Sequence, residues 1–459
     1  MSVVVTDAHG AHAAGVQRLL DSYRAIPATA TVRLGKPTSN LFRSRAKSTA
    51  KGLDTSGLTG VIGVDAQART ADVSGMCTYE DLVAATLPHG LSPLVVPQLK
   101  TITLGGAVTG LGIESASFRN GLPHESVLEL DVLTGAGEIL TASRTRYPDL
   151  FHAFPNSYGT LGYSVRLKIE LEPVKPFVSL RHLRFHTIED LIAAMERIID
   201  TGGHDGVPVD YLDGVVFSAD ESYLCLGVQT ATPGPVSDYT GRHIYYRSIQ
   251  HPRGEQHDRL TIHDYLWRWD TDWFWCSRAF GAQHPIARRV WPRRYRRSSF
   301  YWKLISYDRR FNIADRIEKR HGRPPLERVV QDVEVPIGRA AEYLHWFLTH
   351  VPIEPIWLCP LRLRGDTGWP LYPIRPHHTY LNIGFWSSVP AGATERETNK
   401  LIEHKVSELD GHKSLYSDAF YSVEDFDALY GGAAYRTVKK TYDPDSRLLD
   451  LYAKAVQRK

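Results

Sequence analysis

Apolar and polar residues alternate in short runs through the first 175 residues, and turn signals separate the runs. The runs at 60–65 (GVIGVD), 70–73, 127–133 and 164–171 have the period of two and the length of strands. Between two of them, 78–87 (TYEDLVAATL) spaces its apolar residues as a helix does. Two prolines in EPVKP, residues 172–176, interrupt the pattern and mark a boundary. Beyond it the spacing predicts a helix at 186–200 and strands at 214–218 and 223–229. A strand at 329–336 (VVQDVEVP), a helix at 338–349 and strands at 355–363 and 379–386 follow, then a mostly helical tail at 425–456. No internal repeat or low-complexity tract is present. Short strands and helices mixed with glycine-rich loops predict an α+β class.

With 459 residues and 42% hydrophobic content, the chain suits two or three domains. A net charge of +3 gives no global attraction for nucleic acid. Cys77, Cys225, Cys276 and Cys359 lie far apart and form no CxxC pair, which predicts a reducing compartment, no disulfide framework and no zinc or other metal site. Residues 1–15 have neither the basic start nor the apolar core of a signal peptide. No run of about 18 apolar residues occurs. The expectation is a cytoplasmic protein.

The most informative stretch is 97–121, PQLKTITLGGAVTGLGIESASFRNG. Gly105, Gly106, Gly110, Gly112 and Gly121 let a backbone approach a phosphate closely. Thr101, Thr103, Ser115 and Ser117 offer hydroxyl donors among them. No strict GxGxxG occurs, which disfavours a Rossmann site. Glycine content alone fits a tight-turn region of a β-rich domain equally well.

Three further segments extend the pattern: 134–138 (TGAGE), the acidic-Leu-Phe run at 149–151, and the G-x-x-G turn at 159–162. In this order after the glycine-rich loop, they resemble the FAD domain of the vanillyl-alcohol-oxidase superfamily. The resemblance implies a two-subdomain, PCMH-type FAD-binding fold. Its domains would be 1–175 for FAD, 176–430 as a substrate-binding cap with a Trp/Arg-rich insertion at 260–300, and 431–459 as a helical segment packing back on the FAD domain. The cofactor residues so implied are Gly35, Lys36, Pro37, Thr38, Ser39 and Asn40 of the first loop; Thr101, Thr103, Leu104, Gly105, Gly106, Gly110, Gly112, Ile113, Glu114, Ser115, Ser117 and Gly121 of the second; and Gly159, Gly162 and Tyr163. Many superfamily members bond FAD covalently through a histidine in the first loop. Residues 31–43 contain none, and Cys77 is not where a second link forms, so the resemblance implies non-covalent FAD.

Stretches at 112–122, 158–175, 329–336, 355–363 and 415–426 are similar to the delta-24 sterol reductase group within that superfamily. That group reduces an isolated sterol alkene with FAD and NADPH. A related bacterial branch reduces the methylene group of 10-methylene fatty acyl phospholipids to a 10-methyl branch of the tuberculostearate type. Arginine outnumbers lysine and alanine is common, as in GC-rich bacterial genomes, which ranks the fatty acyl lipid first and the sterol second. The resemblance alone supplies NADPH as reductant, and a SAM-dependent methyltransferase as the partner that makes the methylene substrate.

Such chemistry needs a general acid beside the alkene carbon, an apolar pocket, and aromatic faces toward the tertiary cation that protonation creates. Related oxidases carry an acidic residue facing the flavin at a place similar to Asp332. Tyr265 and Arg268 match a Tyr-x-x-Arg of the sterol group. His378 with Tyr380, and Tyr416 with Asp418, complete the candidates. Each also has an ordinary reading: an ion pair for Asp332, packing for Tyr265 and Arg268, and a surface position for His378.

Trp267, Trp269, Trp273, Trp275 and Trp291, followed by Arg288, Arg289, Arg293, Arg294, Arg296 and Arg297, support two readings. They form either a peripheral contact with an anionic membrane or a buried cap over the flavin with a solvated basic face. Nucleic acid is disfavoured. An FAD-dependent alcohol or sugar oxidase, and a flavin-free lipid-binding protein, remain as alternative functions.

Overall fold

The computed structural model describes residues 4–36, 42–44, 52–110, 112–241, 243–311, 316, 319–322 and 324–458. Helix α1, Val4–Arg24, leads the chain. The apolar pattern does not reveal it, because Gly10 and Gly15 interrupt the stripe. Gly15 is there for contact: a Cβ on it would lie 2.9 Å from the Gly57 backbone.

The first sheet contains β1 (Val61–Asp65), β2 (Thr70–Ser74), β3 (Leu91–Pro93), β4 (Val127–Leu133), β5 (Ile139–Ser143) and β6 (Tyr163–Pro173). Its order is β1-β2-β6-β4-β5, with β3 also paired to β6. Helices α2 (Tyr79–Thr86), α3 (Leu104–Thr109), α4 (Ser117–Asn120) and α5 (Pro148–Ala153) fill its connections. Thr78 and Thr103 cap α2 and α3 by accepting from the backbone N–H groups of Asp81 and Gly106.

Three residues after β6, β7 (Phe177–Phe185) opens a second sheet with β10 (Tyr211–Ser218), β11 (Glu221–Thr230) and β12 (Glu255–Thr261). The short pair β8 (Gly203–His204) and β9 (Val207–Pro208) stands apart from it. β13 (Leu326–Pro336), β14 (Ile356–Arg362), β15 (Thr379–Pro390) and β16 (His412–Lys413) complete the order β12-β7-β11-β10-β14-β15-β13-β16.

Strand alternation gives this sheet two different faces. Leu212, Leu224, Leu226, Val329, Val333, Leu358, Leu381, Ile383 and Phe385 point to one side. There they join the apolar stripes of α6 (Ile188–Thr201), α11 (Ala340–His350) and α12 (Glu397–Glu408). The opposite parity carries Asp213, Trp357, Asp332, Asn382, Gly384 and Trp386 toward the first sheet.

Between β11 and β13 run α7 (Tyr245–Ile249), α8 (Ile262–Trp267), α9 (Pro285–Val290) and α10 (Ser298–Phe311). Here four of the five clustered tryptophans, Trp267, Trp269, Trp273 and Trp275, are at most 4% exposed. Of the two readings of the cluster, burial favours the packed cap for these four side chains. They are packing residues, and Trp269 stacks on Phe274 at 4.8 Å.

The tail forms α13 (Val423–Leu429), α14 (Gly432–Tyr442) and α15 (Leu451–Ala455). Tyr442 Oη donates to Asp149 Oδ1 at 2.8 Å, and Lys439 Nζ donates to the Thr160 carbonyl at 2.8 Å. The tail therefore packs on the first sheet's connections. Among the described residues, no helix is long and apolar enough to cross a membrane.

Candidate active site

A cavity of about 1480 Å³ lies between the two sheets. Ordinary ligand pockets hold about 300–1,000 Å³, so this one has room for a large cofactor and a second molecule. The two sides line it with different chemistry. From the first sheet and its loops come Gly35, Lys36, Thr101, Thr103, Gly105, Gly106, Gly110, Gly112, Ile113, Gly159, Gly162 and Tyr163. The second sheet and its insertion contribute Trp273, Phe274, Trp302, Trp357, Asp332, Trp386 and Tyr416.

The polar side is a cradle of backbone amides, hydroxyls and cations, with Lys36 beside the glycine-rich loop. Lys36 Nζ donates to Thr103 Oγ1 at 3.2 Å, and burial lowers its pKa. Gly105 must be glycine, because a Cβ would lie 2.2 Å from Ser164 Oγ and 2.5 Å from the Gly75 carbonyl. This contact seats α3 directly on the first sheet. At Gly162, φ is +143° and a Cβ would strike Val132 and Leu133. The cradle's donors suit a pyrophosphate.

Not every expected cofactor residue is on this wall. Pro37, Thr38, Ser39 and Asn40 lie outside the described residues. Leu104 is buried in the core. Glu114, Ser115, Ser117 and Gly121 do not line the cavity, because their stretch turns inward behind it. Glu114 Oε1 accepts from Gln98 at 2.9 Å and from Ser115 Oγ at 2.6 Å, and Ser117 Oγ accepts from the Glu114 N–H. Gly121, with φ of +72°, is a turn packed on Glu125.

The catalytic candidates separate in the same way. Asp332 and Tyr416 come together at the cavity wall. Tyr416 Oη donates to Asp332 Oδ2 at 2.9 Å, and Asn382 Nδ2 donates to Oδ1 at 3.1 Å. Trp386 Nε1 donates to Tyr416 Oη at 3.2 Å. Burial raises the Asp332 pKa to about 6, against the lowering effect of the bonds from Asn382 and Tyr416. Gly384 faces Asp332 in the β13–β15 register, and a Cβ there would lie 2.4 Å from Asp332 Oδ1.

Tyr265 and Arg268 are instead sealed behind the wall, which corrects their placement in the site. Arg268 Nη2 donates to Asp213 Oδ2 at 3.0 Å, its guanidinium lies 3.9 Å over the Tyr265 ring, and Tyr265 Oη bonds Ser115 Oγ at 2.7 Å. Trp357 joins this network to the cavity by donating to Asp213 Oδ2 at 3.2 Å. His378 is exposed, with Nδ1 2.9 Å from the Pro376 carbonyl, so it is a surface residue at a strand start. Tyr380, buried beside His412, and Asp418 do not line the cavity. Asp418 Oδ1 instead accepts from the Ser44 N–H at 2.6 Å and so fixes the 42–44 segment.

Of the aromatic wall, the sequence pattern names Trp273 and Tyr416 and leaves out Phe42, Phe274, Trp302, Trp357 and Trp386. Phe42 stacks on Trp273 at 5.7 Å and meets Trp302 edge-on at 5.2 Å and Tyr416 at 5.9 Å. Phe274 packs on Trp386 at 4.4 Å. Trp357, Asn382, Gly384 and Trp386 carry one usable signal: their parity opposes the aliphatic residues of the same strands.

A family model described as "FAD binding domain" matches residues 25–143, which contain α3 and most of the cradle. A Delta(24)-sterol reductase of Rattus norvegicus is 24% identical over 441 residues, covering 92% of this chain and 81% of the relative. Over both sheets the chain is similar to the FAD-dependent Delta(24)-sterol reductase family. A Delta(24)-sterol reductase of Arabidopsis thaliana is 23% identical over 86% of this chain and 74% of the relative. Cytokinin dehydrogenase 2 of Oryza sativa subsp. japonica is 33% identical, but over 34% of this chain and 28% of its own. Likeness to the sterol reductases thus spans both sheets, whereas likeness to the cytokinin dehydrogenase covers a third of the chain. Members of this family are FAD-binding oxidoreductases, and the cradle's donor set fits that cofactor.

Proposed function

We propose that the protein reduces an isolated carbon–carbon double bond in a lipid, using FAD recharged by NADPH. The observation that carries this reading is the Asp332–Tyr416 pair, a buried acid with a pKa near 6 set in an aromatic wall beside the FAD cradle.

An isolated alkene has no group to stabilise a carbanion, so a proton must arrive with or before the hydride. FAD in its reduced form, when bound, supplies the hydride. Once Asp332 is protonated, its carboxyl O–H donates to Tyr416 Oη, the reverse of the bond that the tyrosine makes to the carboxylate, and the tyrosine hydroxyl gives its proton to the less substituted alkene carbon as it regains one from Asp332. The charge then falls on a tertiary carbon, which the faces of Trp273, Trp302 and Trp386 stabilise. Phe42, Phe274 and Trp357 exclude water that would otherwise capture the cation.

Two lipids meet these demands: a 10-methylene fatty acyl phospholipid and a delta-24 sterol. Each gives a tertiary cation, and the sterol reading draws on the names of the full-length relatives. The purified yellow protein, reduced anaerobically with NADPH, is mixed with each lipid in detergent micelles. Flavin reoxidation with a two-hydrogen mass gain in one lipid is the expected result. Reoxidation by oxygen alone, with both lipids unchanged, overturns the reading in favour of an alcohol oxidase.

A further inference from the structure

The basic segment that contains α9 and α10 has a second apolar surface, distinct from its buried tryptophans. Ile286 and Val290 of α9 are 71% and 75% exposed, and Tyr307 and Phe311 of α10 are 58% and 47% exposed. Each pair is spaced i,i+4, so each occupies one helical face. The helices are bonded into one unit. Trp291, which caps α9, packs its ring on Phe300 of α10 at 6.0 Å, and Arg296 Nη2 donates to the Arg288 carbonyl at 2.5 Å. Four exposed large apolar side chains on two short joined helices are unusual for a surface that meets only water.

The segment that carries them is strongly basic. Residues 285–311 hold nine Lys and Arg residues and a single carboxylate, Asp308, which pairs with Arg328. Three of the cations serve the fold: Arg288 pairs with Asp272, Arg297 with Glu80, and Arg296 with backbone carbonyls. Arg289, Arg293, Arg294 and Arg310 are exposed. Neighbouring positions of α10, Ser299, Trp302 and Lys303, line the cavity. One helix therefore borders both the cavity and the apolar surface.

We propose that the α9–α10 surface docks on an anionic lipid bilayer. Ile286, Val290, Tyr307 and Phe311 enter the headgroup boundary, and the exposed arginines meet lipid phosphates. Exposed apolar groups on a strongly basic segment, with the nearby carboxylate already paired, match a bilayer rather than an acidic protein, which would leave the apolar pairs unsatisfied. The docking has a purpose that rests on the proposed lipid substrate: it puts the aromatic cavity beside the membrane that holds the alkene.

The FAD-loaded protein is floated with neutral phosphatidylcholine vesicles and with vesicles carrying phosphatidylglycerol, at low and high salt. Recovery is expected with the anionic vesicles alone, weakening as salt rises. I286D/V290D and R293E/R294E should each lower that recovery at least about tenfold, with the flavin spectrum unchanged. Both variants should turn over micellar lipid as wild type does and lose turnover of lipid in vesicles. Equal recovery with both vesicle types, or variants that float as wild type does, overturns the docking. A variant that only converts a dimer to a monomer overturns it too, by assigning the surface to a second copy. A wild type that floats but reduces no micellar lipid leaves the docking intact and sinks the substrate reading.

Discussion

Tyr416 donates its hydroxyl to Asp332 across 84 residues of chain, at 2.9 Å, where an apolar strand meets a loop. The bond exists because β13 turns Val329 and Val333 to the helical layer, and the same alternation turns Asp332 to the cavity. The loop after β16 then brings Tyr416 over it.

Asp332→Asn removes the proton source without removing the shape. Reduction of the lipid should fall about 10²–10⁴-fold, with FAD retained. In the wild type, activity should decline as pH rises through about 6, as the acid is lost. Stability has the same sign. Between the ordinary aspartate value of 3.8 and about 6, the folded protein holds a proton that the unfolded chain releases, so stability declines as pH rises through this window. The variant should lack that decline and gain roughly 1–3 kcal/mol over wild type at pH 8, read from thermal melts. Identical pH profiles for the two proteins would remove Asp332 from the proton path.

Tyr416→Phe separates proton transfer from acidity. The Tyr416 bond lowers the Asp332 pKa, so its loss should move the residual activity profile to higher pH. The limiting rate at low pH should fall as well, while a tyrosine that only holds Asp332 would shift the profile and leave that limiting rate unchanged.

Gly384→Ala tests the space opposite the carboxylate. A Cβ 2.4 Å from Asp332 Oδ1 forces the acid off Asn382 or bends the strand. Turnover should fall with FAD still bound, and Gly384→Ser should be at least as damaging. An alanine variant with full activity would show that the position of Asp332 carries no chemistry.

Much of the fold is legible because layers impose periods. A strand with one aliphatic face, such as 329–336, announces itself, and so does the stripe of 186–200. The cradle is legible because close backbone approach demands glycine, as at Gly105. The inward turn after Gly112 is not, since Ser115 and Ser117 look the same whether they face phosphate or Tyr265. The insertion is harder still. Trp269 and Trp291 belong to the same tryptophan cluster, yet only the first is buried, because it reaches Asp213 of β10 while Trp291 packs on Phe300 of α10.

Arg268→Met should act on stability rather than chemistry. It strands Asp213, and with it Glu114, in a buried site without a cation. The cost should be about 3–5 kcal/mol in denaturant unfolding, with kcat of the folded fraction near wild type. A variant as stable as wild type but inactive would return Arg268 to the active site.

Lys36→Met tests the cradle. With its ammonium removed, FAD should bind about ten- to a hundredfold more weakly, read by flavin fluorescence on titration of the stripped protein. Burial holds the Lys36 pKa below that of an ordinary lysine, so wild-type affinity should weaken as pH rises, earlier than a solvent-exposed lysine would permit. The methionine variant should lose that pH dependence. If affinity and its pH profile are both unchanged, the bond to Thr103 serves the fold alone, and the cofactor's charge is met by the α3 backbone amides.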